Sequence, residues 1–179
     1  MKIALCFSGQ PRFVNECSAL IKNNVIQDYD IDVFAHLWFD DDLQTKPYKY
    51  GGDSDWENQR IKGTAIDDFV NTYNPREMLV EPSKSFGDPD LDEDFELSEA
   101  KYWPGGIEGQ PDFQKRQINN SLSYFYSLCE ANRLRKLYEY ENKVKYDYVI
   151  RCRTDSQIHQ PVRYENYNPD HIHFTRTQA

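Results

Sequence analysis

The repeated change from apolar strand to amphipathic helix is the feature that most constrains how this chain folds. Lys2–Phe7 is an apolar, strand-forming run, and the turn Ser8–Pro11 follows it at once. Helical spacing of apolar residues comes next, with Pro11 expected in the first helical turn. The inward face of this helix is expected to contain Phe13, Cys17, Leu20 and Ile21. Ile31–Phe39 is a second strand, and the order strand, helix, strand predicts a parallel pair with a right-handed crossover.

The alternation continues along the chain. Apolar spacing predicts a helix over Trp56–Tyr73, a short strand at Met78–Val80, a long helix over Phe113–Lys145 and a strand in Tyr146–Ser156. A last strand is expected at His171–Thr175. The inward face of the helix Trp56–Tyr73 is expected to hold Ile61, Ala65, Ile66, Phe69 and Val70. That of the helix Phe113–Lys145 is expected to hold Ile118, Leu122, Phe125, Leu128, Cys129, Leu137 and Tyr138. Alternating elements predict the α/β class, with a mostly parallel, Rossmann-like sheet flanked by helices.

Composition bounds the size, partners and compartment of the protein. With 179 residues the chain fits a minimal single domain that spans residues 1–179. Its net charge of −9 disfavours non-specific binding to nucleic acid or to an anionic membrane. No apolar run reaches the roughly 18 residues that a membrane span requires, and the apolar start is too short for a signal peptide. Because no CxxC pair occurs, four buried, reduced thiols in the cytoplasm are expected: Cys6, Cys17, Cys129 and Cys152.

The segment from Ser83 to Gln110 is irregular and acidic, and it is expected to be a long excursion from the domain. Within it, DPDLDEDFELSE imitates the calcium-binding loop of an EF-hand. The acids at its ligand positions are Asp88, Asp90, Asp92, Glu96 and Glu99. The sixth position requires glycine for a sharp turn and holds Glu93 instead. A solvated loop is therefore favoured over a calcium site.

Three polar clusters, FSGQPR, HLWFDDD and RTDS, follow predicted strands. Ligands of open α/β sheets bind beyond the carboxyl ends of the strands, so these clusters form the candidate site. The first cluster could offer backbone N–H groups and Arg12 to a phosphate. It matches neither the dinucleotide-binding pattern GxGxxG nor the P-loop pattern GxxxxGK[ST], since it has one glycine. The alternative is an ordinary turn with a solvated arginine. In the second cluster, His36 is either a satisfied core residue or part of the site.

The third cluster also has two interpretations. The strand period of two places Arg151, Arg153 and Asp155 on one face. Asp155 could ligate Mg²⁺ or Mn²⁺, which take few protein carboxylates and leave the other positions to phosphates and water. The arginines could neutralise those phosphates. A structural salt bridge between Arg153 and Asp155 explains the same residues equally well.

Taken together, the blocks KIALCFSGQPR, DVFAHLW and YDYVIRCRTD resemble a group of short GT-A-fold glycosyltransferases found in bacterial surface-polysaccharide loci and in viruses, including phages. The three blocks lie within residues 2–155. In that fold a nucleotide-binding α/β half ends in a DxD-type motif that holds Mn²⁺ or Mg²⁺ against the diphosphate of a nucleotide sugar. The resemblance assigns the metal to the segment Arg153–Asp155. It implies nucleotide contacts for Phe7, Ser8, Gly9, Gln10, Arg12, His36 and Arg153.

This sequence departs from the family pattern at two points. Arg153 stands where the first acid of DxD is expected, so metal binding depends on Asp155, with His171 or His173 as the candidate for a further ligand. The chain also continues for only about 24 residues after the motif, where relatives extend further and bind the acceptor. A minimal enzyme, a truncated one and a non-catalytic nucleotide-sugar-binding accessory protein all remain compatible with that length.

The resemblance implies a metal-dependent glycosyltransferase that uses a nucleotide diphosphate sugar, with UDP as the expected nucleotide, and a saccharide or other hydroxyl as acceptor. The catalytic residue is unknown, although the acidic loop Asp88–Glu99 could supply a carboxylate base. A two-metal phosphohydrolase is disfavoured because the chain lacks the required set of carboxylates and histidines. Cytoplasmic localisation is expected, in the host cytoplasm if the protein is viral.

Overall fold

A computed structural model of the chain describes residues 1–45, 60–86 and 111–173, with the side chains of residues 111–118 outside that description. In the described part, four strands form one all-parallel sheet in the order β3-β2-β1-β4. Their bounds are β1 Lys2–Gly9, β2 Asp30–Trp38, β3 Glu77–Glu81 and β4 Tyr148–Cys152. The predicted α/β class and parallel sheet are thereby confirmed, and every strand has its carboxyl end at the same edge.

Helices cover both faces of this sheet. They are α1 Val14–Ile21, which continues into a π-helical turn at Lys22–Ile26, then α2 Asp41–Thr45, α3 Ala65–Tyr73 and α4 Pro111–Asn142, with a 3₁₀ turn at Tyr164–Asn166. On one face α1 and α3 bury the main core, in which the ring of Phe7 packs edge-on against Phe69. On the other face α4 packs through Ala131 on Ala4, Cys6 and Phe34. None of the helices in the described ranges is long and apolar enough to cross a membrane.

Helix α3 is shorter than the sequence predicts. It begins at Ala65, residues 60–64 are not helical, and the remainder of the predicted start lies outside the described residues. A turn precedes it, closed by the Ala65 N–H on the carbonyl of Lys62 at 3.0 Å. Ala65 and Phe69 face the core as expected, but Val70 is exposed. Asn74 ends the helix in the left-handed conformation at φ 44°.

The inward face of α4 differs from the one that apolar spacing predicts. Ser127, Ala131 and Arg135 are buried at four-residue spacing, whereas Leu122, Phe125, Cys129 and Leu137 are exposed. Arg135 is accommodated because its guanidinium donates to Asn132 Oδ1 and to Glu139 Oε2. Two of these three buried residues, Ser127 and Arg135, are polar, so the spacing of apolar residues does not identify this face. The inward face of α4 was therefore predicted wrongly.

Several helix and strand ends also differ from the predicted ones. Pro11 lies in the turn before α1 and not in its first helical turn, because Phe13 adopts a left-handed conformation at φ 50°. Helix α4 ends at Asn142, before the predicted Lys145, where Lys143 has φ 53°. The described part of the predicted last strand, residues 171–173, is not a strand.

Cys6, Cys17 and Cys152 are buried free thiols, but Cys129 is exposed, so the expectation of four buried thiols is wrong.

Candidate functional site

The strand order reverses between β1 and β4, and the position between the carboxyl ends of these two strands is called the crevice below. The chain steps from β1 to β2 and β3 on one side, then returns through α4 to place β4 on the other side of β1. Such a reversal point, at the carboxyl ends of the strands, is where α/β sheets bind ligands. The turn Gly9–Arg12 begins at the last residue of β1 here, and Arg153–Asp155 follows β4. The Thr154 hydroxyl donates to the carbonyl of Gln10 at 3.2 Å and joins the two loops.

Hydrogen bonds at its first residue, Gly9, and its last, Arg12, fix the turn after β1. Gly9 has φ 111°, a conformation that favours glycine, and its N–H donates to Ser127 Oγ on α4 at 2.8 Å. The guanidinium of Arg12 donates to the side-chain oxygen of Gln10 through Nε at 2.7 Å and also through Nη2. Two residues predicted to contact a nucleotide, Gln10 and Arg12, are therefore hydrogen-bonded to each other in this turn.

In the loop after β4, Arg153 and Asp155 form a bidentate ion pair. Arg153 Nε lies 2.8 Å from Asp155 Oδ1, and Nη2 lies 2.7 Å from Oδ2. The Arg153 N–H additionally donates to Ser156 Oγ. Of the two interpretations that the sequence left open, the salt bridge is present. A cation approaching Asp155 has to compete with a guanidinium for both carboxylate oxygens.

The further metal ligands suggested by the sequence lie in the tail. His173 Nε2 is 2.8 Å from the carbonyl oxygen of Asn168, and its ring packs against Tyr167, with His171 beside it. Within the described ranges no three His, Cys, Asp or Glu side chains lie together as a metal site. The acidic loop Asp88–Glu99, the candidate source of a base, lies outside the described residues.

His36 is a fully buried residue whose two ring nitrogens both have partners. Nε2 lies 2.9 Å from Glu81 Oε2, and Nδ1 lies 2.8 Å from Ser127 Oγ. An ionised carboxylate only accepts, so Nε2 carries the proton and Nδ1 accepts the Ser127 hydroxyl. Burial lowers the pKa of His36, and the Glu81 carboxylate opposes that shift only in part. Both ring nitrogens of His36 are thus engaged inside the fold, and its nucleotide contact stays a prediction.

Phe7 has a similar outcome. Its ring is fully buried between Phe69 and Tyr73 in the main core. Only backbone atoms of this residue remain for a ligand. Ser8, next along the strand, is also buried, and its hydroxyl accepts a hydrogen bond from Arg151 Nε at 3.3 Å.

An aromatic and charged cluster, which the sequence did not reveal, lies at the ends of β2 and β3. The Glu81 carboxylate accepts from Lys84 Nζ at 2.5 Å, from His36 and from the Tyr126 hydroxyl at 3.0 Å. These bonds, that of Lys84 foremost, lower the pKa of Glu81 to about 2. The rings of Trp38 and Tyr126 stack at 5.5 Å. The one sequence signal for this cluster was the alternation of His36 and Trp38 along β2. Their partners come from distant segments and could not be recognised from that pattern.

Comparison with known proteins assigns no family: no family description, no curated protein and no solved structure matches this chain.

Proposed function

We propose that this chain is a glycosyltransferase of the GT-A type, which transfers a sugar from a nucleotide diphosphate sugar, UDP-linked in the first instance, to a saccharide or other hydroxyl acceptor. The observation that supports the proposal is the crevice between β1 and β4, where the turn Gly9–Arg12 and the loop Arg153–Asp155 are joined through Thr154. Both loops resemble donor-binding segments in sequence, and they come from opposite ends of the chain.

Catalysis in such a site is electrostatic. Negative charge grows on the departing diphosphate, and fixed positive groups in a low-dielectric crevice stabilise it. Arg12 and Arg153 are the groups that the two loops supply. A Mn²⁺ or Mg²⁺ ion, when bound with the donor, would be held by Asp155 and would offset the same charge.

Asp155 fits a divalent ion under one condition. Mg²⁺ is commonly held by one or two carboxylates, with substrate phosphates and water as the other ligands, so one carboxylate is sufficient. Both oxygens of Asp155 are engaged by Arg153, however, and the guanidinium has to turn away first. A diphosphate is a suitable new partner, because guanidinium binds phosphate oxygens bidentately.

The test is calorimetric titration of UDP in the presence of Mn²⁺ into the wild type, Asp155→Asn and the control Asp170→Asn, which alters an exposed tail residue. We expect metal-dependent UDP binding in the wild type and the control, and its loss in Asp155→Asn. Equal affinity in all three proteins would show that Asp155 is not the metal ligand.

The ion pair favours a second candidate, a nucleotide-sugar-binding protein without transferase activity. If Arg153 stays on Asp155, the donor can bind while the metal-assisted step is lost. Release of UDP from UDP-sugars, measured with and without a panel of saccharide acceptors, distinguishes the two. Turnover supports the transferase, and binding without release supports the second candidate.

A further inference from the structure

We propose that Arg151 holds a phosphoryl group of the ligand, in a subsite on the α4 side of the crevice that is open while Arg153 is still paired with Asp155. The proposal rests on the proposed function in that it identifies the ligand as a diphosphate. The family resemblance implied no nucleotide contact for Arg151, and the sequence offered it to phosphates only together with Arg153. Its role here follows from its position, its restraints and its lack of a carboxylate partner among the described residues.

The register of the sheet fixes the position of Arg151. It lies opposite Cys6 in the parallel pairing of β4 with β1. Residues of β1 alternate between faces, and Ala4 and Cys6 face α4, so Ser8 lies on that face as well. Arg151 Nε reaches Ser8 Oγ, two residues nearer the carboxyl end of β1 than its register partner. Its guanidinium is therefore directed toward the edge of the sheet where the crevice opens.

Two contacts restrain the guanidinium in a defined orientation. Its central carbon lies 4.3 Å from the centre of the Tyr124 ring on α4. Its Nε donates to Ser8 Oγ at 3.3 Å. In the described part of the chain no acceptor is hydrogen-bonded to its two terminal nitrogens, and the residue is exposed. A guanidinium fixed at its base with both terminal amino groups open is preorganised for bidentate binding of an oxyanion.

Most of the other described arginines are paired with carboxylates, whereas Arg151 is not. Five of them have a carboxylate oxygen within 4.0 Å: Arg76, Arg133, Arg135, Arg153 and Arg163. Arg151 has no such partner among the described residues, in a protein whose net charge is −9. In particular, the charge of Arg153 is already balanced by Asp155 in its own loop. The positive charge left for a ligand on this side of the crevice is that of Arg151.

The donors around Arg151 match a phosphoryl group better than a carboxylate. The two terminal nitrogens provide a planar fork for two oxygens. Ser8 Oγ accepts from Arg151, so its own hydrogen remains available for a third oxygen. A phosphoryl group presents three such oxygens and a carboxylate only two. The site therefore favours a phosphoryl oxyanion, as in pyrophosphate or a nucleoside diphosphate.

The experiment titrates inorganic pyrophosphate, UDP and acetate separately into the wild type, Arg151→Gln, Arg151→Lys and the control Arg133→Gln, which removes an exposed arginine paired with Glu130. Charge-assisted hydrogen bonds of this kind predict an approximately 10- to 100-fold loss of pyrophosphate and UDP affinity in Arg151→Gln. Arg151→Lys should retain part of the affinity, because it keeps the charge and loses the fork. The control should bind as the wild type does, and acetate should bind more weakly than pyrophosphate.

The outcomes separate this proposal from the proposed function. If UDP binds Arg151→Gln as tightly as the wild type, the Arg151 subsite is wrong and the proposed function stands. If pyrophosphate binding depends on Arg151 but no UDP is bound or released from a UDP-sugar, the subsite stands and the proposed function is wrong. If neither pyrophosphate nor UDP binds the wild type, both are overturned. Circular dichroism of each variant confirms that a loss of binding is not a loss of fold.

Discussion

Arg153 and Asp155 neutralise each other across one intervening residue, through two hydrogen bonds of 2.8 and 2.7 Å. The side chain of Asp155 is 12% exposed and that of Arg153 41%, so the pair lies at the surface of the crevice. Pairs of this exposure contribute little to stability, about 0–1 kcal/mol. The pair is weak enough for a ligand to open, and it controls access to the one carboxylate of this loop.

The first prediction is that Arg153→Gln strengthens Mn²⁺ binding in the absence of nucleotide. Removing the guanidinium leaves both oxygens of Asp155 available, and the pair's contribution sets the gain at up to about fivefold. Free Mn²⁺ measured by electron paramagnetic resonance during titration gives the affinity. If the double variant with Asp155→Asn binds Mn²⁺ as well as Arg153→Gln alone, Asp155 is not the ligand.

The second prediction concerns Ser127, whose hydroxyl connects Gly9 with His36. Ser127→Ala leaves the Gly9 N–H and the buried Nδ1 of His36 without partners, and each such loss costs about 1–3 kcal/mol. Urea unfolding should show a destabilisation of about 2–6 kcal/mol, the sum of the two losses. Ser121→Ala, at an exposed position of the same helix, is the matched control and should change the free energy of unfolding by less than about 0.5 kcal/mol. Equal stabilities of the two variants would contradict the hydrogen-bond network.

The third prediction is a pH dependence that originates at Glu81. Hydrogen bonds from Lys84, His36 and Tyr126 lower its pKa from 4.5 to about 2. A carboxyl group with a lowered pKa stabilises the folded state above its unfolded pKa and loses that contribution as the pH falls toward its folded pKa. The stability advantage of the wild type over Glu81→Gln should therefore be largest above pH 5 and shrink toward pH 2.5. An advantage that does not change across this range would show that Glu81 has an ordinary pKa.

The fourth prediction concerns the buried carboxylate of Asp32 on β2. It accepts from Arg76 Nε at 2.7 Å and the Tyr146 hydroxyl at 2.7 Å, and Lys2 Nζ lies 3.3 Å away. In Asp32→Ala the partly exposed Arg76 and Lys2 can turn to solvent, but the Tyr146 hydroxyl stays buried without an acceptor. We therefore expect a loss of about 1–3 kcal/mol in guanidinium chloride unfolding. Asp30→Ala, at the exposed start of the same strand, should cost far less.

The fifth prediction is that one thiol reacts in the native protein. Cys129 is exposed, whereas Cys6, Cys17 and Cys152 are buried. Burial raises the pKa of the Cys6 thiol to about 12, and it also raises the pKa values of Cys17 and Cys152. Because the thiolate is the reactive form, a disulfide reagent should modify one thiol rapidly under native conditions and four after denaturation. Cys129→Ser should abolish the rapid phase.

The strands were predictable because their signal is local. The buried parallel strands β1 and β2 are near-continuous apolar runs, as expected for strands covered on both faces. Their alternation with helices was sufficient to predict the parallel sheet, and the position of three polar clusters after strands indicated the edge of the candidate site. In β4, Tyr148, Ile150 and Cys152 face the core, as the period of two requires.

The errors arose where a side chain's role depends on a distant partner. Arg135 is buried although it is charged, because Asn132 and Glu139 satisfy it. Apolar spacing along α4 therefore identified Phe125 as inward when it is exposed. His36 could be either a core or a site residue until its partners, Ser127 and Glu81, were known. No pattern within one segment carries that information.

Prediction of the candidate site was limited by the same dependence on distant partners. Sequence placed Arg151 and Arg153 on one strand face, and nothing in their spacing indicated which of them has a carboxylate partner. That difference depends on the loop conformation after β4, which turns Arg153 onto Asp155, and on Tyr124 from α4, which packs against Arg151. The arginine that is open to a ligand was therefore recognisable only in three dimensions.

The central position of β1 has a consequence for the biosynthesis of this protein. Its neighbour on one side, β2, is translated soon after it, but its neighbour on the other side, β4, begins only at Tyr148. At translation speeds of about 5–20 residues per second, the two partners emerge on the order of ten seconds apart. Throughout that interval the edge of β1 lacks its second partner while the chain is still on the ribosome. The nascent protein is therefore most vulnerable to aggregation between the synthesis of β2 and that of β4, and chaperone contact should concentrate in that period.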